Sequence, residues 1–384
     1  MVRIGIVGVG NMGRSHIIHI RDGLVKNAKI TAVCDIDPKR LEWMDSNGFT
    51  EVRQYLSAEE MYKSGEVDLV VIATPHYDHP TLAKLAFKYN LNVIIEKPAG
   101  VYTKQVREMN EEAEKTDNVF GIMYNQRTNP VYKKVRELIK NGELGEIKRA
   151  IWIITTWYRP QAYHDSGGWR SMWATEGGGV LINQCPHQLD LWWWMLGMPK
   201  RIKSFVGFGK HYNIEVEDDV TAFMEYENGA TGLFITTTAE APGTNRLEIS
   251  GDRGKIIVED DKITFYRTVI PEREFNKSNT VPFGQPEVWK CEIPTPGENT
   301  QHVGILNNVV SAIENKTELL APGTQGINGL TISNAIHLSA WTDDWVYTDN
   351  LDEDLFYNIL QDKIKNSTIK KIVKEQVSDV KGTH

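Results

Sequence analysis

The chain has 384 residues, 41% of them hydrophobic and 24% charged, so it is long enough for two domains with buried cores and carries no signature of disorder. A formal net charge of -8 argues against a nucleic-acid partner, which would need a basic surface. Cys34, Cys185 and Cys291 lie far apart without paired spacing, so neither a disulfide framework nor a metal site is expected, and a cytoplasmic location fits. The sequence has no signal-peptide pattern and no run of about 18 apolar residues, so no membrane partner is expected.

Val2 to Gly8 reads as a buried parallel strand. Gly8-x-Gly10-x-x-Gly13 follows directly and opens a helix running to about Leu24. Gly8 permits the tight turn, Gly10 lets the backbone approach a pyrophosphate, and Gly13 lets the helix pack on the strand. Asn11 and Met12 then stand at a helix N-terminus that would hold phosphates. The next strand, Ile30 to Cys34, ends at Asp35, 22 residues after Gly13, where an acidic side chain takes the ribose hydroxyls. The plainer reading of Asp35 is a helix cap ahead of Pro38. An aspartate there repels a 2'-phosphate, so NAD is favoured over NADP, although Lys39 and Arg40 argue the other way.

Strands at Asp68 to Ala73, Asn92 to Ile95 and Val119 to Met123 alternate with helices at about Asp78 to Tyr89 and Thr103 to Lys115. This spacing predicts a doubly wound parallel sheet over residues 1–124, with ligands at the carboxyl ends of its strands. Three polar segments follow those ends: Thr74-Pro75-His76 with His79, Glu96-Lys97-Pro98, and Tyr124-Asn125-Gln126-Arg127. Thr74, Pro75, His79, Glu96, Lys97 and Asn125 are thus expected near the cofactor. A lysine beside a proline is ordinarily a solvated loop residue, but at this strand end Lys97 would donate to a reacting oxygen and act electrostatically.

The pattern changes over residues 125–350. A helix at about Pro130 to Asn141 leads into a half-buried strand, Ile147 to Trp157. Strands follow at Arg201 to Phe208, Asp219 to Tyr226, Ala230 to Thr238, Arg246 to Ser250, Lys255 to Glu259 and Lys262 to Tyr266. Tight turns at Asn228-Gly229 and Asp252-Arg253-Gly254 make the sheet largely antiparallel, and the domain α+β. Helices are expected at Gln301 to Asn315 and Gly326 to Tyr347, and a helical, charged tail over residues 351–384. An open sheet this rich in apolar residues would leave a sticky face, so a homodimer or homotetramer is expected.

The stretch GGGVLINQCPHQLDLWWWMLG, from Gly177 to Gly197, joins these halves. Pro186 suits a first helical turn and Gly197 a C-terminal cap, which places His187 in the first turn. Unpaired amides and the positive dipole end favour a neutral imidazole there, which is a base. Asp190 one turn on and Asn183 just upstream are placed to flank the ring. The plainer reading is a satisfied histidine in a Trp-rich core helix. Upstream, Tyr158, Arg159, His164, Trp169 and Arg170 combine aromatic platforms with polar groups suited to lining a small-molecule pocket, and Arg127 adds a cation. The plainer reading is a Trp-rich loop packed on the sheet.

In order, GIVGVGNMG, Asp35, ATPHYDHP, EKP, YNQR with Pro130, GELGEI, and the stretch from the triple glycine through His187 to Asp190 make a set that resembles the Gfo/Idh/MocA family. The likeness runs from Met1 to about Tyr347. It implies nicotinamide-dependent oxidation of sugars or cyclitols by a Rossmann domain joined to an open-sheet domain. It also implies that Lys97 is the active-site lysine, that His187 is the catalytic histidine and that His79 lies near the nicotinamide. Asn183 stands where many members, inositol dehydrogenases included, have an aspartate. An amide cannot carry the charge that would stabilise a protonated His187. The sequence therefore reads as an NAD-dependent dehydrogenase of a sugar, glycoside or cyclitol, with Lys97, His187 and Asn183 at its catalytic centre. A non-catalytic NAD- or sugar-binding sensor on the same fold is the alternative.

Overall fold

Alternation of apolar strand and amphipathic helix is realised through the first eleven elements of this computed structural model, which describes residues 1–367. They are β1 (Val2–Val7), α1 (Asn11–Arg21), β2 (Ala28–Cys34), α2 (Pro38–Ser46), β3 (Arg53–Tyr55), α3 (Ala58–Lys63), β4 (Leu69–Ile72), α4 (Asp78–Lys88), β5 (Asn92–Ile95), α5 (Thr103–Ala113) and β6 (Phe120–Ile122). The six strands pair in parallel in the order β3-β2-β1-β4-β5-β6. Order reverses between β1 and β4, where such sheets open a ligand crevice. Ile4, Ile6, Leu69 and Ile72 are fully buried, as a sheet covered on both faces requires.

The second set comprises α6 (Pro130–Lys140), β7 (Ile147–Ile154), α7 (Gln161–Asp165), α8 (Pro186–Leu196), β8 (Arg201–Phe208), β9 (Glu217–Glu225), β10 (Thr231–Thr237), β11 (Asn245–Gly251), β12 (Gly254–Glu259) and β13 (Lys262–Thr268). It continues with α9 (Glu272–Ser278), β14 (Val288–Ile293), α10 (Gln301–Asn315), α11 (Gly326–Thr342), β15 (Val346–Tyr347) and α12 (Glu353–Lys365). Its nine strands run β14-β13-β12-β11-β7-β10-β9-β8-β15. Every pairing is antiparallel except β10 with β7, so the sheet is mixed at its centre and largely antiparallel elsewhere. The Asn228-Gly229 turn forms as its residues dictate: Asn228 Oδ1 accepts the Ala230 amide at 3.0 Å and Gly229 has φ +82°.

One face of this sheet is closed by α8 and α11, with Trp152, Trp192 and Phe234 inside. The other face presents Phe205, 69% exposed, and Phe223. Two expected spans end early. The first strand of the second half stops at Ile154. The helix expected to reach Tyr347 stops at Thr342, where Asp343 takes a left-handed φ of 51° and frees Val346–Tyr347 to pair with β8. Of the lysine-rich tail, Lys363 and Lys365 lie on α12, while Lys370, Lys371, Lys374 and Lys381 fall outside the described residues. Among the described residues no helix is long and apolar enough to cross a membrane.

Candidate active site

The fingerprint turn is closed to side chains. Gly8 has φ +96°, and a Cβ on Gly13 would lie 1.9 Å from the Gly8 carbonyl oxygen, so the first turn of α1 can sit on the end of β1 only with glycine there. α1 starts at Asn11 without a side-chain cap, which leaves the amides around Asn11, Met12 and Gly13 for a ligand. That cradle fits the pyrophosphate of a dinucleotide. Asp35, at the end of β2, accepts the Val9 amide at 2.8 Å on one carboxylate oxygen and the Asp37 amide at 2.9 Å on the other. It anchors the turn and keeps lone pairs for ribose hydroxyls. The helix-cap role falls instead to Asp37, whose carboxylate accepts the Lys39 amide. Gly10 lies against the guanidinium of Arg40: a Cβ there would stand 3.3 Å from Nη1.

The polar segments after β4, β5 and β6 line one rim, with divided duties. His79 is fully buried, and its two ring nitrogens lie 2.8 Å from the carbonyl oxygens of Pro98 and Thr74. Burial disfavours the charged ring, so it carries a single N–H that donates to one of the two carbonyls, and His79 thereby ties two rim loops together. Glu96 is likewise held from within, Oε1 meeting His16 Nε2 at 2.7 Å. Burial opposes its ionisation, yet the His16 hydrogen bond and the fields of His16, His302 and Lys97 hold the carboxyl well below its ordinary range. Asn125 is fully buried, and its Nδ2 meets Gln301 Oε1 and His302 Nδ1. Asn125 Oδ1 has no hydrogen-bond partner among the described residues.

Pro186 opens α8 and Gly197, φ +81°, closes it, which sets His187 in the first turn, edge-on to Tyr124 at 6.1 Å between ring centres. Arg127, expected to face a substrate, and Asp190, expected beside His187, take each other. Arg127 Nε and Nη2 donate to the two Asp190 oxygens at 2.8 and 2.6 Å, with both side chains 1% exposed. Arg127 Nη1 donates further to Leu320 O and Gln325 Oε1. This forked pair locks α8 to the turn after β6.

Lys97 reaches across to the second half, its Nζ donating to the Asn183 main-chain oxygen at 3.0 Å. Burial lowers its pKa, with Arg170 adding to the effect and Glu96 and Glu176 opposing it. The Asn183 amide donates to Glu176 Oε1, with Tyr163 Oη at 3.4 Å. The triple glycine makes that fold-back possible, since a Cβ on Gly179 would lie 2.1 Å from the Glu217 carbonyl oxygen. The Arg170 guanidinium stacks over Tyr163 and Trp169 at 4.5 and 4.6 Å, and Trp169 meets His76 edge-on. Burial pushes the His76 imidazole down to about 3.

The other expected substrate residues divide. Tyr158 is 47% exposed, and Arg159 lies over Trp157 and Tyr163. His164, expected to touch substrate, is buried: Nδ1 meets Ser171 Oγ at 2.8 Å and the ring packs between Tyr163 and Tyr212, so it braces the loop. The sequence reading passed over Tyr163, whose hydroxyl takes Arg170 Nη1 at 2.6 Å and Gln184 Nε2 at 3.1 Å, and over Glu176. Only the direct lead from Glu176 into the triple glycine hinted at the latter.

A glycine cradle at the switch point of a parallel sheet, with a lysine and a helix-borne histidine beyond its rim, defines a nicotinamide-dependent oxidoreductase. Residues 2–124 match the model of an oxidoreductase family with an NAD-binding Rossmann fold, and residues 132–257 match a GFO/IDH/MocA C-terminal domain. The chain belongs to the Gfo/Idh/MocA family and is an NAD-dependent oxidoreductase. Rhizopine catabolism protein MocA of Rhizobium meliloti is 32% identical over 63% of this chain and 73% of its own length. Myo-inositol 2-dehydrogenase of Thermotoga maritima is 22% identical over 68% of this chain and 77% of its own. Among solved structures, the WlbA dehydrogenase of Bordetella pertussis in complex with NADH and UDP-GlcNAcA superposes with a TM-score of 0.76 at 23% identity, covering 90% of this chain and 98% of that one.

Proposed function

We propose that the protein oxidises a secondary hydroxyl of a sugar, glycoside or cyclitol. The observation that carries this reading is the Lys97 Nζ contact with Asn183, which brings a cation from the cofactor half beside the helix that bears His187. Bound nicotinamide supplies the acceptor for the hydride leaving the carbinol carbon. His187, in the first turn of α8, takes the hydroxyl proton, and Lys97 stabilises the developing negative oxygen. Trp169 and Tyr158 offer flat apolar surface to the C–H face of a ring, with Arg170 and Asn183 toward its hydroxyls. Relatives named for inositol and rhizopine support a polyhydroxylated ring as substrate. The test is NAD reduction by purified protein over a panel of sugars, inositols and glycosides. Turnover on at least one is expected, and binding without turnover across the panel would favour a sensor.

The open face of the second sheet is the surface through which we expect copies to pair, because Phe205 and Phe223 stand on it beside apolar strand residues. Light scattering at micromolar protein should report a dimer or tetramer, and Phe205→Lys should shift it toward monomer.

A further inference from the structure

A buried carboxylate, that of Glu176, stands one hydrogen bond behind the Asn183 amide. We propose that Glu176 is a positioning residue that fixes the Asn183 amide and sets a negative charge against Lys97. This rests on the dehydrogenase reading above.

Glu176 is 2% exposed, and a carboxylate is taken out of water only where partners compensate. Its Oε1 accepts Asn183 Nδ2 and its Oε2 accepts the Ser171 amide. The charged and titratable groups around it come from four segments: Arg170 on its own loop, Lys97 after β5, Glu217 at the start of β9, and His76 after β4, whose Nδ1 meets the Glu176 carbonyl at 2.9 Å. Asn183 is therefore gripped at both ends, its main-chain oxygen by Lys97 and its amide nitrogen by Glu176. With its amide hydrogens directed at Glu176 and Tyr163, Asn183 offers Oδ1 as an acceptor for a substrate hydroxyl. An aspartate at this position would accept the same hydroxyl and carry the charge itself. Here one residue accepts and its neighbour carries the charge.

The division has a consequence for pH. Burial, opposed by Arg170, Ser171 and Asn183, pushes the Glu176 carboxyl up to about 7. As pH falls through that value Glu176 loses its charge and Lys97 loses an attracting neighbour, so turnover should fall with it.

The test uses the full chain with NAD and the best substrate from the panel. Glu176→Gln should lower kcat by about 10-fold to 100-fold, the range known for partners that orient a metal-bound histidine, with KM for NAD unchanged. It should also remove an ionisation near 7 from the acid limb of the kcat profile. Adding Asn183→Asp to that variant should restore most of the loss, whereas Asn183→Asp alone sets two carboxylates together and should lower kcat. A folded Glu176→Gln protein with native kcat and acid limb overturns the proposal, as does a loss that Asn183→Asp fails to restore. One arm needs no turnover: arylation of Lys97, followed by mass spectrometry against pH, should shift about one unit lower in Glu176→Gln. No shift overturns the role of Glu176 even if no substrate is found, while a blank substrate panel sinks only the dehydrogenase reading.

Discussion

Two buried glutamates bracket Lys97, one from each half of the molecule, and their surroundings drive them in opposite directions. Glu96 follows β5 in the cofactor half, where His16 bonds it and positive neighbours outweigh burial, so it stays ionised. Glu176 precedes the triple glycine in the other half, where burial outweighs its partners and its carboxyl sits at about 7. The difference extends beyond the pair. The cofactor half works through fixed features, such as the glycine cradle, Asp35 bonded to two amides, and His79 set between two carbonyls. In the second half, by contrast, Glu176 sits close enough to 7 for its charge to change.

The largest effect that would sharpen this contrast is on turnover. His187→Ala should lower kcat by about 100-fold to 10,000-fold, the usual cost of a lost general base, with NAD affinity almost unchanged in fluorescence titrations. Lys97→Ala should behave alike, and the double variant should lose less than the product of the single losses because both serve one transition state. Multiplicative losses would break the picture of a shared site.

Next in size is the clamp between the halves. Asp190→Asn leaves Arg127 buried without its counter-charge and should cost about 3–5 kcal/mol in urea unfolding, as broken buried pairs do. A smaller effect separates the two glutamates by pH. The folded pKa of Glu176 is raised from 4.5 to about 7, so the stability it contributes is full below 4.5 and lost as pH rises through 7. The stability of wild type relative to Glu176→Gln should fall by roughly 3 kcal/mol across that window. His76 works in the opposite sense, losing stability as pH falls below 6.5 toward 3, but it is common to both proteins and cancels in the difference. The smallest effect is in the cofactor half, where Asp35→Ala should weaken NAD by about tenfold and narrow its preference over NADP in calorimetric titrations.

The parallel sheet was legible because its strands are continuous apolar runs and its turns are glycine. β3 was not, since a three-residue edge strand of Arg53, Gln54 and Tyr55 has no apolar run to find. The end of α11 was hidden by its cap, an aspartate in the left-handed region where a sequence reader looks for glycine. The parallel pairing of β10 with β7 leaves no mark in the chain, because partners far apart in sequence set it. Within the candidate site, the placement of Lys97 just after β5 and of His187 in the first turn of α8 could be read from the strand end and from Pro186. The pairing of Arg127 with Asp190 was not legible because a lone charge near a rim looks like a ligand until its partner, 63 residues away, is seen against it. Glu176 was passed over because nothing in its spacing says that the chain doubles back on itself.

The triple glycine also shapes how this protein tolerates mutation. A side chain at Gly177 would strike Val101, one at Gly178 would strike Ile182, and one at Gly179 would strike the main chain at Glu217. Glycine codons are fixed by their first two bases, so almost any change to those bases adds a side chain. These three codons thus form a dense target at which most single-base errors are lesions, although none of the three glycines has a side chain to contact substrate or cofactor. A library randomised across them and selected for activity should return glycine at all three.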